Sequence, residues 1–119
     1  MDECAYAGSR LSIVFAMLAG GGSPALAFYE SLSELEQNRL MALFVRLGDT
    51  GVLFNREQFK KVEGTEFFEF KRNDVRMLCR FLKDGRLVLL HGFRKKQERI
   101  PQRELERTKQ LWARWQAQG

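Results

Sequence analysis

Three strand-like runs dominate the second half of the chain, at residues 66–72, 75–82 and 86–93. Asn73-Asp74 separates the first two runs and Asp84-Gly85 separates the last two, and Asp-Gly is a strong signal for a two-residue hairpin turn. Because a two-residue turn fixes which residues face each other, the sequence predicts an antiparallel three-stranded meander of defined register. With 119 residues, the chain has room for a single domain, which we place at residues 1–119.

Strand and helix signals precede the meander. The β-branched and aromatic residues of 10–17 predict a first strand. Ser23 is a suitable N-cap for a helix expected over 24–32, which begins with a proline. A second helix is expected over 33–47, because its first serine and Glu36 match the capping-box pattern. These two helices should form a hairpin that packs on the sheet.

A last helix is expected from Pro101 to about Gln116, with an apolar stripe at helical spacing. The stripe consists of Leu105, Thr108, Trp112 and Trp115. We interpret its two tryptophans as core packing rather than as platforms for stacking bases. The element order is therefore β-α-α-β-β-β-α. It predicts an α+β domain with a small, mostly antiparallel sheet, and with the helical hairpin and the C-terminal helix packed on one of its faces.

The predicted registers divide the side chains of the meander between two faces. One face is almost entirely apolar and should form the core: Phe68, Phe70, Val75, Met77, Cys79, Phe81, Val88 and Leu90. The other face carries three cross-strand rows: Lys71–Arg76–Phe93, Glu69–Leu78–His91 and Phe67–Arg80–Leu89. Side chains directly opposite each other have Cβ atoms about 5 Å apart. The chain's one histidine should therefore share a small surface with cations, a carboxylate and aromatic rings, a combination suited to gripping phosphate and stacking a base.

Positive charge is concentrated in the same half of the chain. The sequence contains 20 Lys+Arg and 15 Asp+Glu, for a net charge of +5. Only three of the basic residues, Arg10, Arg39 and Arg46, precede residue 51. The excess positive charge therefore belongs to the predicted meander and the last helix, which makes a polyanion such as nucleic acid a plausible partner.

Cysteine usage and hydropathy argue against a metal site and a membrane anchor. Cys4 and Cys79 lack metal-ligand spacing, so no metal or other cofactor is expected, and Cys79 is interpreted as a small buried hydrophobe. The stretch 11–19 is similar to a short signal-peptide core, but Asp2 and Glu3 occupy the place of the usual positive charge. It is also shorter than the roughly 20 residues that span a bilayer. We expect a buried strand and a cytoplasmic protein.

Each candidate residue also has a purely structural interpretation. Glu69 could pair with a neighbouring cation, and His91 could simply cap a strand end. The basic run 94–96 could be solvated surface, as such runs usually are. The functional hypothesis depends on the coincidence of these residues on one predicted face.

Two sequence blocks resemble a known family. They read F-K-K-V-E-G-T-E-F-F-E-F-K and V-R-M-L-C-R-F-L-K-D-G-R-L-V-L-L-H-G-F-R-K-K, and a helix started by proline follows. Together they resemble the RelE/ParE superfamily of bacterial toxins, and within it the HigB-like, phage-associated branch. The resemblance covers roughly residues 23–116. The chain departs from the family at Glu69-Phe70-Lys71, where glutamate-leucine-arginine is usual, and at Gln97, where threonine is common.

This resemblance implies a RelE-like fold and a toxin of a toxin-antitoxin system. Such toxins cleave messenger RNA on the ribosome without a metal and are inhibited by a small helix-turn-helix antitoxin. The implied catalytic residues are His91 as acid or base, Arg76 and Lys71 on the scissile phosphate, Lys95 as an assisting or proton-donating group, and Glu69 as a possible base. The implied RNA-binding residues are Lys60, Lys61, Arg80, Phe93, Arg94 and Lys96.

A non-catalytic protein remains the alternative. Some members of the superfamily poison DNA gyrase, so the chain could act as a module that binds nucleic acid or protein, and an inactive prophage remnant is a third possibility. A nuclease needs His91 and Arg76 beside a phosphate-sized gap, whereas a gyrase poison does not.

Overall fold

The computed structural model describes residues 2–97 and 99–118, where six strands form one sheet with helices on both faces. The strands are β1 (Glu3–Ala7), β2 (Ser12–Phe15), β3 (Phe59–Lys61), β4 (Phe68–Arg72), β5 (Val75–Phe81) and β6 (Arg86–Arg94). The helices are α1 (Pro24–Ser31), α2 (Glu34–Thr50) and α3 (Gln102–Ala117). The strand order is β1-β2-β6-β5-β4-β3, and all neighbours are antiparallel except β2 and β6. The predicted α+β class with a mostly antiparallel sheet is confirmed.

The helical hairpin begins as the sequence predicts and ends later. Ser23 caps α1 through its side chain, and Ser33 and Glu36 form a complete capping box at the start of α2. α2 continues beyond its expected end at residue 47 and stops at Gly51, whose φ of 79° gives the left-handed C-cap that glycine adopts readily.

Two edge strands, β1 and β3, are absent from the predicted order. Both are short, and the sequence of β1 lacks the alternation of apolar and polar residues that reveals a half-buried strand. Helix α2 packs closely on β1 at Gly48, where an added Cβ would lie 2.9 Å from the ring of Tyr6. Gly48 directly follows the expected end of the second helix at residue 47, but in the structure it lies within α2 and allows this close packing.

The turn between β5 and β6 contains three residues, 83–85, and not the predicted two, because Leu82 still pairs with Arg86. The Leu82 amide donates to the carbonyl of Arg86 at 2.8 Å, and Gly85 takes the left-handed conformation (φ 84°) that three-residue hairpins favour. The extra residue shifts the register by one position, so that Cys79 pairs with Leu89.

A β-bulge in β6 then removes this shift. Leu90 is the extra residue, and beyond it Leu78 faces His91 as predicted. The register between β4 and β5 is as predicted throughout. Two predicted rows are therefore confirmed, Lys71–Arg76–Phe93 and Glu69–Leu78–His91. The third predicted row, Phe67–Arg80–Leu89, is wrong. It lies between the loop and the bulge, where the register is shifted by one position and Arg80 faces Val88.

Helix α3 packs on the sheet face opposite α1 and α2, whereas the sequence suggested one shared face. The hairpin side of the core includes Ile13, Phe15, Phe44, Phe70, Met77, Cys79, Leu87 and Leu89. The α3 side includes Val14, Ala16, Phe67, Val88 and Leu90, packed against Leu105, Trp112 and Trp115. Val88 and Leu90 were assigned to the Cys79 face, and the register shift moves them to the α3 face. Buried Cys79 and the two packed tryptophans agree with expectation.

Gly92 allows α1 to rest directly on β6, because a Cβ at this position would lie 2.1 Å from Cδ2 of Phe28. We expect Gly92→Ala to lower the free energy of unfolding by about 1–3 kcal/mol, since the ring and the helix must shift. Gly22→Ala is the control, because its added Cβ meets nothing within 4 Å. Urea denaturation should show a change of at most about 0.5 kcal/mol for the control. Equal stabilities of the two variants would contradict this role of Gly92.

Candidate active-site cleft

A fully buried carboxylate is the centre of the candidate site. Glu69 on β4 has 0% of its surface exposed, and neither carboxylate oxygen accepts a hydrogen bond from the described residues. Arg76 Nε on β5 lies 3.6 Å from Glu69 Oε2, and Lys95 Nζ, just after β6, lies 3.9 Å from the same oxygen. Lys60 on β3 pairs with Glu69 in the sheet register. The fold thus surrounds one carboxylate with cations from three other segments.

The turn at Asn73-Asp74 positions both of the nearest cations. Arg76 Nη1 donates to the carbonyl of Asn73 and, at 2.9 Å, to the carbonyl of Val75. The backbone amide of Lys95 donates to the carbonyl of Asp74 at 2.8 Å. Asn73 adopts a φ of 53°, a left-handed conformation that asparagine tolerates better than most residues. A local backbone feature therefore sets the geometry around Glu69.

Burial changes the acidity of two groups in this cluster. Loss of solvent raises the pKa of the Glu69 carboxyl, and the charges of Lys95, Arg76, Lys60 and Lys71 oppose this rise without cancelling it. Loss of solvent also lowers the pKa of the Lys95 ammonium, an effect that Glu69 opposes and the other cations reinforce. The pKa of Glu69 therefore rises toward neutral pH and that of Lys95 falls toward it. These directions suit a carboxylate that acts as a general base and an ammonium that acts as a general acid.

A cleft of about 520 Å³ opens beside Glu69, between β3 and the segment that leads into α3. Its volume lies within the range of sites that hold small ligands. Among the described residues, its charged lining consists of the cations Arg56, Lys60, Lys61 and Arg99 and the carboxylates Glu63 and Glu69. The predominance of cations gives the cleft a positive potential that attracts anions.

His91 lies apart from this carboxylate cluster. Fully buried Leu78 separates it from Glu69 in the same cross-strand row, a distance of two strand spacings, or about 10 Å between backbones. His91 Nε2 lies 2.9 Å from Glu104 Oε1 on α3. The contact joins β6 to the first turn of α3, which also supplies Leu105 to the cleft.

The residues that follow His91 divide between buried and exposed positions. Phe93 is only 6% exposed, and its ring stacks on His91 with a centroid distance of 5.4 Å. The expected platform for a base is therefore occupied inside the protein. Lys95 is buried beside Glu69, and Lys96 is exposed.

Of the remaining predicted site residues, one is buried, one is exposed at the cleft, and two contact other parts of the fold. Lys71 is buried, with Nζ 3.9 Å from Glu57 Oε2, and Lys61 is exposed at the cleft. Arg80 lies over the ring of a tryptophan of α3, 4.3 Å from its centroid. Arg94 donates to both carboxylate oxygens of Glu36 at 2.7 and 2.9 Å, and so ties β6 to the first turn of α2. These two arginines make contacts within the fold.

Sequence reasoning did not identify three residues of this region: Arg56, Arg99 and Glu104. Each lies in a loop or a helix whose packing against the sheet could not be inferred from spacing. The pairing of β3 with β4 instead places a residue that the sequence analysis did name, Lys60, directly opposite Glu69.

Neither a metal site nor a membrane span is found between residues 2 and 97 or between 99 and 118. No group of three or more His, Cys, Asp or Glu side chains there is arranged to hold a metal ion. No helix in these ranges is long and apolar enough to cross a bilayer.

The fold and the cleft define a small α+β domain with a basic, anion-attracting site. A family model described as Phage derived protein Gp49-like (DUF891) matches residues 27–113, a range that contains the charged lining residues of the cleft. The chain therefore belongs to this phage-derived family, which is related to the RelE/ParE toxins. No curated protein matches the chain.

The contact between Arg94 and Glu36 should make the fold sensitive to acid. The Arg94 guanidinium, together with the capping interactions of Ser33, lowers the pKa of Glu36 to about 2. Because this pKa is lower than the unfolded value of 4.5, Glu36 stabilises the fold above pH 4.5 and loses that contribution as the pH falls toward 2.

We expect Glu36→Gln to remove this part of the pH dependence, since glutamine can keep the capping box but carries no charge. Denaturant midpoints measured between pH 2 and pH 7 give the comparison, with exposed Glu30→Gln as the control. An unchanged slope in Glu36→Gln would contradict the assignment.

Proposed function

We propose that this protein is the toxin of a toxin-antitoxin system and that it cleaves RNA in the cleft beside Glu69. In this proposal the substrate is messenger RNA presented by the ribosome in the cytoplasm, and a helix-turn-helix antitoxin neutralises the toxin. Membership of a family related to RelE/ParE toxins supports the toxin class. The chemistry of the cleft supports RNA cleavage.

One observation carries the catalytic proposal: Glu69 is buried and borders a cationic cleft, yet its oxygens accept no hydrogen bond from the described residues. A buried acceptor without a donor is unfavourable, so the site suits a ligand that brings an O–H or N–H group. The 2′-hydroxyl of RNA is such a donor, and the adjacent phosphate suits the surrounding cations.

The proposed reaction is a metal-free transesterification. Because both Glu69 oxygens are closed off from solvent, RNA binding in this proposal displaces the cleft-lining side chains that cover them, such as Lys60. The Glu69 carboxylate then removes the proton of the 2′-hydroxyl, and the resulting oxyanion attacks the neighbouring phosphorus. Arg76 and Lys71 stabilise the negative charge that accumulates on the phosphorane oxygens. As the bond from phosphorus to the 5′-oxygen breaks, the Lys95 ammonium gives its proton to that oxygen. The products are a 2′,3′-cyclic phosphate and a 5′-hydroxyl end.

His91 has a supporting role in this arrangement. Its contact with Glu104 holds the first turn of α3 against β6, and that turn supplies part of the cleft wall. His91→Ala should therefore weaken RNA binding more than it slows the chemical step at saturating RNA.

Glu69→Gln should reduce cleavage of a translated message by a factor of about 10² to 10⁴, because general acid–base groups contribute that much. Lys95→Met should have a similar effect. The exposed residues Glu66 and Lys83 provide the matched controls Glu66→Gln and Lys83→Met. Primer extension after induced expression, and on ribosomes with the purified protein, measures the cleavage.

Three results would count against this mechanism. Cleavage by Glu69→Gln at the wild-type rate would remove the proposed base. A 5′-phosphate on the downstream fragment, in place of the 5′-hydroxyl, would contradict the proposed transesterification. Growth arrest with intact messages would favour the alternative, a toxin that acts by binding nucleic acid or protein without cutting.

The pH dependence of single-turnover cleavage should be bell-shaped. The rate rises as Glu69 ionises, through a pKa above the ordinary 4.5, and falls as Lys95 loses its proton, through a pKa below the ordinary 10.5. Lys95→Arg should move the alkaline limb to higher pH, since a guanidinium stays protonated. Identical alkaline limbs in wild type and Lys95→Arg would rule out Lys95 as the acid.

A further inference from the structure

Phe54 is the most exposed large apolar side chain of the described residues, and it lies close to the cleft. Its side chain is 87% exposed, whereas Leu35 and Val52 are 57% and 46% exposed. Arg56, two residues further along, lines the cleft. Two residues of chain separate the Cα atoms of Phe54 and Arg56 by at most about 7 Å. Phe54 is therefore an exposed aromatic residue whose Cα atom lies within about 7 Å of the Cα atom of a cleft residue.

Hydrogen bonds and packing fix the backbone on both sides of Phe54. Leu53 is buried in the core under the helical hairpin. Asn55 closes a turn, since its side-chain oxygen accepts from the Glu57 amide and its carbonyl accepts from the amide of Phe59, both at 2.9 Å. Because the residues before and after it are held, the backbone of Phe54 has a defined position.

None of the described residues that line the cleft is aromatic, so they offer no stacking platform. Phe93, the platform expected from the sequence, is 6% exposed and packs on His91. Single-stranded RNA is commonly held by an aromatic face together with cations. Phe54 is the one aromatic side chain classed as exposed in the described part of the chain.

The surroundings of Phe54 favour a nucleic acid over a folded protein as the occupant. Arg56, Lys60 and Lys61 follow it along the chain and line the cleft. Leu35, another exposed apolar residue, lies in the first turn of α2, whereas Phe54 follows the other end of this 17-residue helix, which is roughly 25 Å long at 1.5 Å per residue. Protein interfaces have an apolar centre with few charges, which Phe54 and the less exposed Val52, followed along the chain by cations, do not provide.

We propose that Phe54 stacks on an unpaired base of the RNA strand that occupies the cleft, and that Arg56 contacts a neighbouring phosphate. This inference rests on the proposed function, because it places the bases of the same substrate whose phosphate lies at Glu69. It makes Phe54 a positioning residue for the substrate, with no part in proton transfer.

Fluorescence anisotropy with a labelled 12-nucleotide 2′-O-methyl RNA tests the contact, since this RNA cannot undergo the cleavage step. Phe54→Ala should raise the dissociation constant about 5- to 150-fold, the range measured when a stacking aromatic is replaced by alanine. Phe54→Tyr should bind like the wild type. Leu35→Ala removes another exposed apolar side chain and should leave the dissociation constant unchanged.

Abasic nucleotides locate the base that stacks on the ring. An oligonucleotide lacking one base at the stacked position should bind wild type more weakly and should bind Phe54→Ala without further loss. Abasic sites elsewhere should weaken RNA binding by both proteins equally.

At saturating RNA, Phe54→Ala should cleave a normal substrate at the wild-type rate, whereas Glu69→Gln should bind the RNA normally and fail to cut it.

Unchanged RNA binding by Phe54→Ala, in a protein that loses cleavage with Glu69→Gln, overturns the stacking proposal and leaves the proposed function in place. Loss of antitoxin binding with RNA binding unchanged also overturns it, and would assign Phe54 to a protein contact. If the wild-type protein neither binds the 12-mer nor cleaves messages, both proposals fail.

Discussion

The burial of the Glu69 carboxylate is the constraint on which the rest of the site depends. An ionised carboxylate removed from water costs several kcal/mol unless partners compensate for the lost solvent. Here the compensation comes from charge, because Arg76 and Lys95 lie at 3.6 and 3.9 Å, beyond good hydrogen-bond distance. The carboxylate is thus stabilised as an anion only in part, and its pKa is raised. A ligand that donates a hydrogen bond would complete its coordination.

The fold meets this constraint through the turn between β4 and β5. The carbonyl of Asn73 accepts from the Arg76 guanidinium, and the carbonyl of Asp74 accepts from the Lys95 amide. The same turn therefore fixes the strand register and orients the two cations nearest to Glu69. The charged side chains of the cluster are buried, and this exclusion of water strengthens each electrostatic interaction within it.

The strand pairings around Glu69 could be predicted from the sequence better than the packing of the segments that line the cleft. The β4–β5 register followed from a two-residue turn, and the His91 row was correct because a three-residue loop and a bulge at Leu90 cancel. No local sequence pattern indicates such a bulge, so the predicted Arg80 row was wrong. The face chosen by α3, and with it the contact between His91 and Glu104, depends on packing between distant segments. Periodicity alone cannot supply that information.

The departure at Phe70-Lys71 from the usual leucine-arginine pair has a structural explanation in two parts. Phe70 is buried, and its ring meets that of Phe44 on α2 at 5.0 Å, so the larger side chain fills the core under the hairpin. Lys71 is buried with its ammonium 3.9 Å from Glu57, and it acts as a point charge where arginine would offer a bidentate grip. Arg76 lies directly opposite Lys71 in the sheet and retains a guanidinium beside Glu69. The guanidinium beside Glu69 is thus supplied by the neighbouring strand.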